Sequence, residues 1–148
     1  MLNRDNRAKV MVVDNENDIA VVIKKALEIE GGFDVDDFTN PKEALDHFKN
    51  NVHKYKIVLS DLRMPHIGGL ELAKEIRKLN QKVCILLMSA FEMDQQDLVS
   101  EFRATKIDGF IQKPVSMKNL VVLMTQFVVS SSHDTTTSSS SSSSKQQY

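Results

Sequence analysis

The sequence predicts an α/β protein: a doubly wound, parallel sheet of five strands with helices on both faces. Three observations carry that expectation. Five short apolar runs alternate with five stretches of helical periodicity. Most of the runs are apolar almost without a break, the pattern of strands covered on both faces, whereas Phe33–Phe38 carries three aspartates. Each run is closed by a polar residue: Asp14, Thr39, Asp61, Ser89 and Lys113.

The first strand is Lys9–Val13 and ends at Asp14. A helix follows over Asp18–Glu30, with Ile19, Val22, Ile23, Ala26 and Leu27 on one face. Gly31-Gly32 ends it, because glycine accepts the left-handed angles of a helix terminus. Phe33–Phe38 is a short strand suited to a sheet edge. Asn40-Pro41-Lys42-Glu43 marks the next helix: Asn caps, Pro fits the first helical position, and Glu sits three residues after the cap. That helix uses Ala44, Leu45 and Phe48. The third strand, Ile57–Ser60, precedes a helix over Leu70–Leu79 that turns Leu72, Ala73, Ile76 and Leu79 inward. Val83–Met88 is the most hydrophobic strand, and Asp94–Ala104 is a polar amphipathic helix. Gly109–Gln112 is a short strand and Ser116–Val129 the last helix. Right-handed crossovers then wind helices onto both faces.

Composition bounds the rest. Of 148 residues, 41% are hydrophobic and 26% charged, with a net charge of -1. No basic excess or aromatic-basic stripe points to direct nucleic-acid contact. No run is long enough to insert in a membrane, and no apolar leader opens the chain. The one cysteine, Cys84, lies in an apolar run and reads as a small buried hydrophobe. A cytoplasmic protein is expected. Residues 1–8 are a polar segment, 9–129 form the domain, and the Ser/Thr-rich stretch 130–148 is expected to be a disordered tail.

In a parallel sheet all carboxyl ends share one edge, and such sheets bind ligands there. Asp14, Asp61, Ser89 and Lys113 therefore converge. Carboxylates with Asn15 nearby suit a hard cation such as Mg²⁺. A carboxylate can attack phosphorus, while an ammonium neutralises phosphoryl oxygens and a hydroxyl donates to one. Taken singly, each residue has a plainer reading. Asp61 and Lys113 could be an ion pair, Ser89 a cap and Phe110 core. The four histidines, His47, His53, His66 and His133, lack metal-ligand spacing and read as surface residues.

The segments VMVVDNENDI, VLSDLRMPHIGGLEL, LLMSAFE and GFIQKP occur in that order over residues 8–129. Together they resemble the receiver domain of two-component response regulators, in particular a stand-alone, chemotaxis-regulator-like receiver. The resemblance implies a flavodoxin-like (βα)5 fold with strand order 2-1-3-4-5. It implies that Asp61 is the phosphoacceptor, that Lys113 contacts the phosphoryl group, and that Ser89 and Phe110 form the switch. It places Mg²⁺ among Asp14, Asp61 and the backbone carbonyl of Arg63, and makes the Lys113–Pro114 bond cis. The donor would be a histidine kinase or a phosphotransfer protein. The domain would be no enzyme beyond assisting its own phosphorylation and dephosphorylation. Its output would pass to an effector protein, a homodimer, or a domain beyond the tail.

Two alternatives stand beside it. The family usually has two consecutive acids where this chain has Asp14-Asn15, so Mg²⁺ should bind more weakly unless Glu16 compensates. That change keeps open a pseudo-receiver, an interaction module that is not phosphorylated. A phosphatase with an aspartate nucleophile would need an acid two residues after Asp61, where Arg63 stands. Arg63 and Phe91 occupy positions that border the approach of hydrolytic water in the family, so slow phosphoryl loss is expected. Finally, the last helix carries surplus valines, Val121, Val122, Val128 and Val129, beyond the stripe Leu120, Leu123, Met124 and Phe127. They are expected to form an exposed docking patch.

Overall fold

The computed structural model describes residues 6–90 and 96–132. Five strands alternate with five helices: β1 (Lys9–Val13), α1 (Asn17–Ile29), β2 (Asp34–Phe38), α2 (Pro41–Lys49), β3 (Ile57–Asp61), α3 (Gly69–Leu79), β4 (Cys84–Ser89), α4 (Gln96–Thr105), β5 (Gly109–Gln112) and α5 (Met117–Ser132). The strands form one sheet in the order β2-β1-β3-β4-β5, with every pairing parallel. This is the expected doubly wound, flavodoxin-like order, and β2 is an edge strand.

Alternate residues of each strand enter two cores, as the two-residue period of a strand requires. Met11, Val13, Val58, Ile85 and Leu87 meet Phe48 of α2, Ile76 of α3 and Phe102 of α4. Val10, Val12, Ile57, Leu59, Leu86 and Met88 meet Ile23 and Leu27 of α1 and Leu120 and Met124 of α5. Both faces of the sheet are covered, which accounts for the apolar runs of β1, β3 and β4. Asn40 caps α2 as expected, its side-chain oxygen accepting from Lys42 N at 2.9 Å and Glu43 N at 3.4 Å. Cys84 is half-buried, and burial pushes its thiol pKa up, so it remains a neutral apolar filler.

Several details differ from the sequence reading. Ile19 and Val22 lie at the surface, 36% and 49% exposed, because α1 packs through the narrower stripe Ala20, Ile23 and Leu27. Leu79 is 38% exposed at the last residue of α3. Residues 91–95, which include the expected start of α4, lie outside the described residues. α5 continues past Val129 to Ser132, its last turns anchored by Phe127 and Val128 against the core. Only part of the valine surplus is outward. Val121 and Val128 pack on the core, whereas Val122 and Val129 are about half exposed.

One polar tether, unmarked by any motif, joins three elements. Arg77 on α3 is buried. Its guanidinium donates to the carbonyls of Val83 (2.6 Å), Lys106 (2.8 Å), Thr105 (3.1 Å) and Asn80 (3.3 Å), and to Asp108 (3.0 Å). Asp108 also accepts from Ile85 N at 2.8 Å. The tether therefore fixes the α4–β5 turn, where Lys106 has a left-handed φ of 61°, against the start of β4. Asp108 is 41% exposed, so the carbonyl bonds, not the ion pair, carry most of the effect. Arg77→Ala leaves those carbonyls unpaired and should cost about 2–4 kcal/mol in a urea unfolding titration. Arg77→Lys, which cannot fork, should recover less than half of the loss.

Candidate functional site

β1 and β3 are neighbours in register, with Val13 beside Ser60. The next residues, Asp14 and Asp61, therefore emerge side by side from the sheet edge. Asp14 is fully buried and Asp61 is 7% exposed. One Asp14 oxygen accepts from the backbone N–H of Glu16 at 2.9 Å, which fixes the carboxylate rotamer.

Lys113 follows β5, two strands from β3. Its backbone N–H donates to Ser89 O at 2.8 Å, which holds the main chain beside the end of β4. Its long side chain reaches across the end of β4 toward β3 and β1. Nζ reaches Asp61 Oδ1 at 2.9 Å and Asp14 Oδ2 at 3.5 Å. With strands about 4.8 Å apart, only a side chain of this length makes that crossing. The Lys113–Pro114 peptide bond is cis, as expected.

The backbone after Asp61 answers to a steric constraint. Leu62 N donates to Met88 O at 2.8 Å, and the chain then turns back through Pro65 and a left-handed His66 (φ 70°). Gly69 N donates to Leu62 O at 2.8 Å. A Cβ on Gly69 would run into the backbone carbonyl of Asp61. The glycine lets α3 begin directly against the residue it positions. Gly68 N donates to Glu71 Oε1 at 3.2 Å, which adds an N-terminal lock to the helix.

These elements enclose an open pocket of about 430 Å³, lined by Asn15, Glu16, Asp61, Arg63, Ser89, Ala90 and Lys113. The sequence-derived residues Asp14, Asn15, Asp61, Arg63, Ser89 and Lys113 are thus gathered in one place. Thr39 is exposed and does not line the pocket. Phe91 lies outside the described residues. Phe110 is half-buried, its ring 4.1 Å from that of Phe102 on the core side. Glu16, which the sequence offers only as a compensating charge, lines the pocket. No sequence signal marks the close approach of Gly69 to Asp61.

The electrostatics are unbalanced: two carboxylates face one ammonium. Burial raises the Asp61 pKa and the Asp14 charge raises it further, while Lys113 opposes both without cancelling them. Burial works against the Lys113 charge, but the hydrogen bond and charge of Asp61, with Asp14 behind it, outweigh burial and raise its pKa. Lys113 therefore stays protonated throughout the physiological range.

A family model described as the response regulator receiver domain matches residues 10–125. The chain belongs to the response regulator receiver family. Among curated proteins, this receiver is 32% identical over 114 residues to a transcriptional regulatory protein CpxR homolog of Haemophilus influenzae, covering 77% of this chain and 47% of that protein. It is 30% identical over 120 residues to the two-component response regulator ORR41 of Oryza sativa subsp. japonica, covering 80% of this chain and 93% of that protein. It spans less than half of several such relatives, and 10% of the osmosensing histidine protein kinase SLN1 of Saccharomyces cerevisiae. Among solved structures, the receiver domain of the Francisella response regulator 1452 superposes with a TM-score of 0.68 at 30% identity, covering 82% of this chain and 96% of that one. A CheY-like receiver from Methanospirillum hungatei superposes at 0.78 with 20% identity over 87% and 99%, a likeness of fold.

Receiver domains are signalling domains, not conventional enzymes; they interact with histidine kinases or phosphotransfer proteins and typically bind Mg²⁺ at the acidic pocket. The donor set here fits a hard cation that keeps several waters: Asp14 and Asp61 are neighbouring carboxylates carrying more negative charge than Lys113 offsets. Among the described residues no three acidic, histidine or cysteine side chains cluster to hold a metal by themselves. Also among those residues, no helix is long and apolar enough to cross a membrane.

The raised Asp61 pKa has a defined sign for stability. The folded state holds the Asp61 proton more tightly than the unfolded chain, whose value is near 3.8. Ionised Asp61 therefore costs stability above its folded pKa, and that cost disappears as pH falls through the folded value toward 3.8. Asp61→Asn should raise the melting temperature relative to the parent at pH 7 without Mg²⁺, and the gain should shrink on acidification. Paired thermal melts across that range check it.

Proposed function

We propose that Asp61 accepts a phosphoryl group from the phosphohistidine of a histidine kinase or phosphotransfer protein. The observation that carries this reading is the contact of Lys113 with both Asp61 and Asp14 at the rim of an open pocket. An Asp61 carboxylate oxygen attacks phosphorus, the phosphorus–nitrogen bond of the donor breaks, and the imidazole leaves. Asp61 Oδ1 already lies against the Lys113 ammonium, which can follow the charge onto the phosphoryl oxygens with little reorganisation. Ser89 donates its hydroxyl to the new group. Phe110, packed on Phe102, responds to the Ser89 shift. Asp14, Asp61 and the Arg63 carbonyl, with Asn15 as a further oxygen donor, would hold Mg²⁺, which would supply positive charge toward the phosphoryl oxygens. The half-exposed Val122 and Val129 on α5 form part of the surface offered to a homodimer or an effector protein.

Asn15 supports a second reading, the pseudo-receiver. With one acid fewer than is usual at this position, the pocket draws a divalent cation less strongly, and the domain serves as an unphosphorylated interaction module.

Incubation with a small-molecule phosphodonor and Mg²⁺ distinguishes the two. The intact mass should increase by one phosphoryl group in the parent and not in Asp61→Asn. No mass gain in the parent selects the pseudo-receiver, and a gain that persists in Asp61→Asn moves the acceptor elsewhere.

Asn15→Asp restores the missing charge and should tighten Mg²⁺ binding about tenfold or more in a calorimetric titration at fixed pH and salt. Equal affinity in both proteins assigns the compensating charge to Glu16, which lines the same pocket.

A further inference from the structure

The sheet has a second set of strand ends, on the side away from Asp61. There the segment before β1, the Gly31-Gly32 turn, the loop into β3 and the last turns of α5 enclose a cavity of about 800 Å³. That size falls within the roughly 300–1,000 Å³ of small-molecule sites. Arg7, Lys9, Lys54 and Lys56 line it against a single acid, Asp34.

The four cations are not equivalent. Lys9 is held by Asp34 at 2.8 Å and by Asp36 at 3.5 Å, and Lys54 by Asp36 at 3.2 Å. Tyr55 donates its hydroxyl to the same Asp36, so these three side chains form a braced wall. Among the described residues, Arg7 and Lys56 have no carboxylate within ion-pair distance. The Nε of Arg7 is buried without a hydrogen-bond partner, the one such side-chain atom among the described residues. Buried donors are rarely left unpaired, and a guanidinium is an expensive one to leave so. Ala8, Val128 and the half-exposed Val129 supply an apolar side to the same cavity.

We infer that this cavity is a second ligand site, for a small soluble organic phosphate. Arg7 offers a planar fork that matches phosphate oxygens, Lys56 adds a point charge, and both line the same cavity. The organic part rests against Ala8, Val128 and Val129. Lys9 and Lys54 are already occupied by their carboxylates, so the site is braced before a ligand arrives. Because α5 forms one wall, occupancy bears on the same helix that offers Val122 to a partner.

Amide chemical-shift titrations of the full chain test the site, with adenosine monophosphate and glucose 6-phosphate as probes and adenosine as the uncharged control. Saturable shifts at Gly31, Gly32, Lys56 and Val129 are expected with at least one phosphate probe and not with adenosine. Arg7→Gln should weaken that binding about tenfold or more, Arg7→Lys should recover part of it, and Asp61→Asn should leave it unchanged. If Arg7→Gln loses its dispersed amide spectrum, Lys56→Gln at the exposed rim carries the comparison instead. The inference is overturned by the absence of saturable shifts at millimolar probe, by shifts confined to residues around Asp61 and Lys113, or by unchanged affinity in the charge variants.

Discussion

One ammonium held between two buried carboxylates is the interaction on which the rest of the strand-end chemistry depends. Lys113 reaches Asp61 and Asp14 from two strands away, and the cluster retains an excess of one negative charge. Burying such a group is not a route to stability, since desolvation costs several kcal/mol per ion and is only partly returned by pairing. The consequence is chemical instead. The uncompensated charge invites a hard cation, the buried Asp61 carboxylate is poorly hydrated, and Lys113 is fixed where a developing phosphoryl charge would need it. Clusters with pKa values displaced by burial and a like charge concentrate at functional sites for these reasons.

The scaffold makes that cluster possible by steric and polar locks outside it. Register between β1 and β3 sets the two acids side by side. Gly69 allows α3 to begin against the Asp61 carbonyl, so the acid is supported by backbone at close range. Arg77 ties α3 to the α4–β5 turn and to the start of β4, two strands whose far ends carry Ser89 and Lys113. The helices on one face therefore cannot shift independently of the strands that present the site. At the opposite strand ends, beside a wall braced by Asp34 and Asp36, Arg7 and Lys56 have no carboxylate partner among the described residues, which gives the sheet a second charged cavity remote from the first.

Much of this was legible in the sequence, for a physical reason. Strands buried on both faces must be apolar throughout, so the functional polar residues stand out at their ends: Asp14, Asp61, Ser89 and Lys113 all proved to share one edge. Helix caps such as Asn40 are local and equally readable. Three kinds of feature were not. The inward face of α1 is narrower than its periodicity implied, because Ile19 and Val22 lie at the surface rather than beneath a partner. Val121 and Val128 looked surplus but pack on the core, a matter of helix rotation that spacing does not fix. Arg77 makes its bonds mainly to backbone carbonyls, which carry no residue identity and leave no motif. The basic cavity escaped notice for a similar cause: Arg7, Lys9, Lys54 and Lys56 come from separate segments and gather only in the fold.

The central claim is that the Asp14–Asp61–Lys113 cluster is short of positive charge and takes a divalent cation to complete a phosphoacceptor site. Carboxyl-carbon NMR of the unmodified protein tests it most directly, by following the Asp14 and Asp61 side-chain resonances through a Mg²⁺ titration and a pH titration at each end point. Both resonances should shift saturably with Mg²⁺, and the Asp61 pKa should fall from its raised value as the cation replaces the missing charge. Carboxyl resonances indifferent to Mg²⁺, with an unchanged Asp61 pKa, would contradict the account and leave Lys113 as the site's full complement of positive charge.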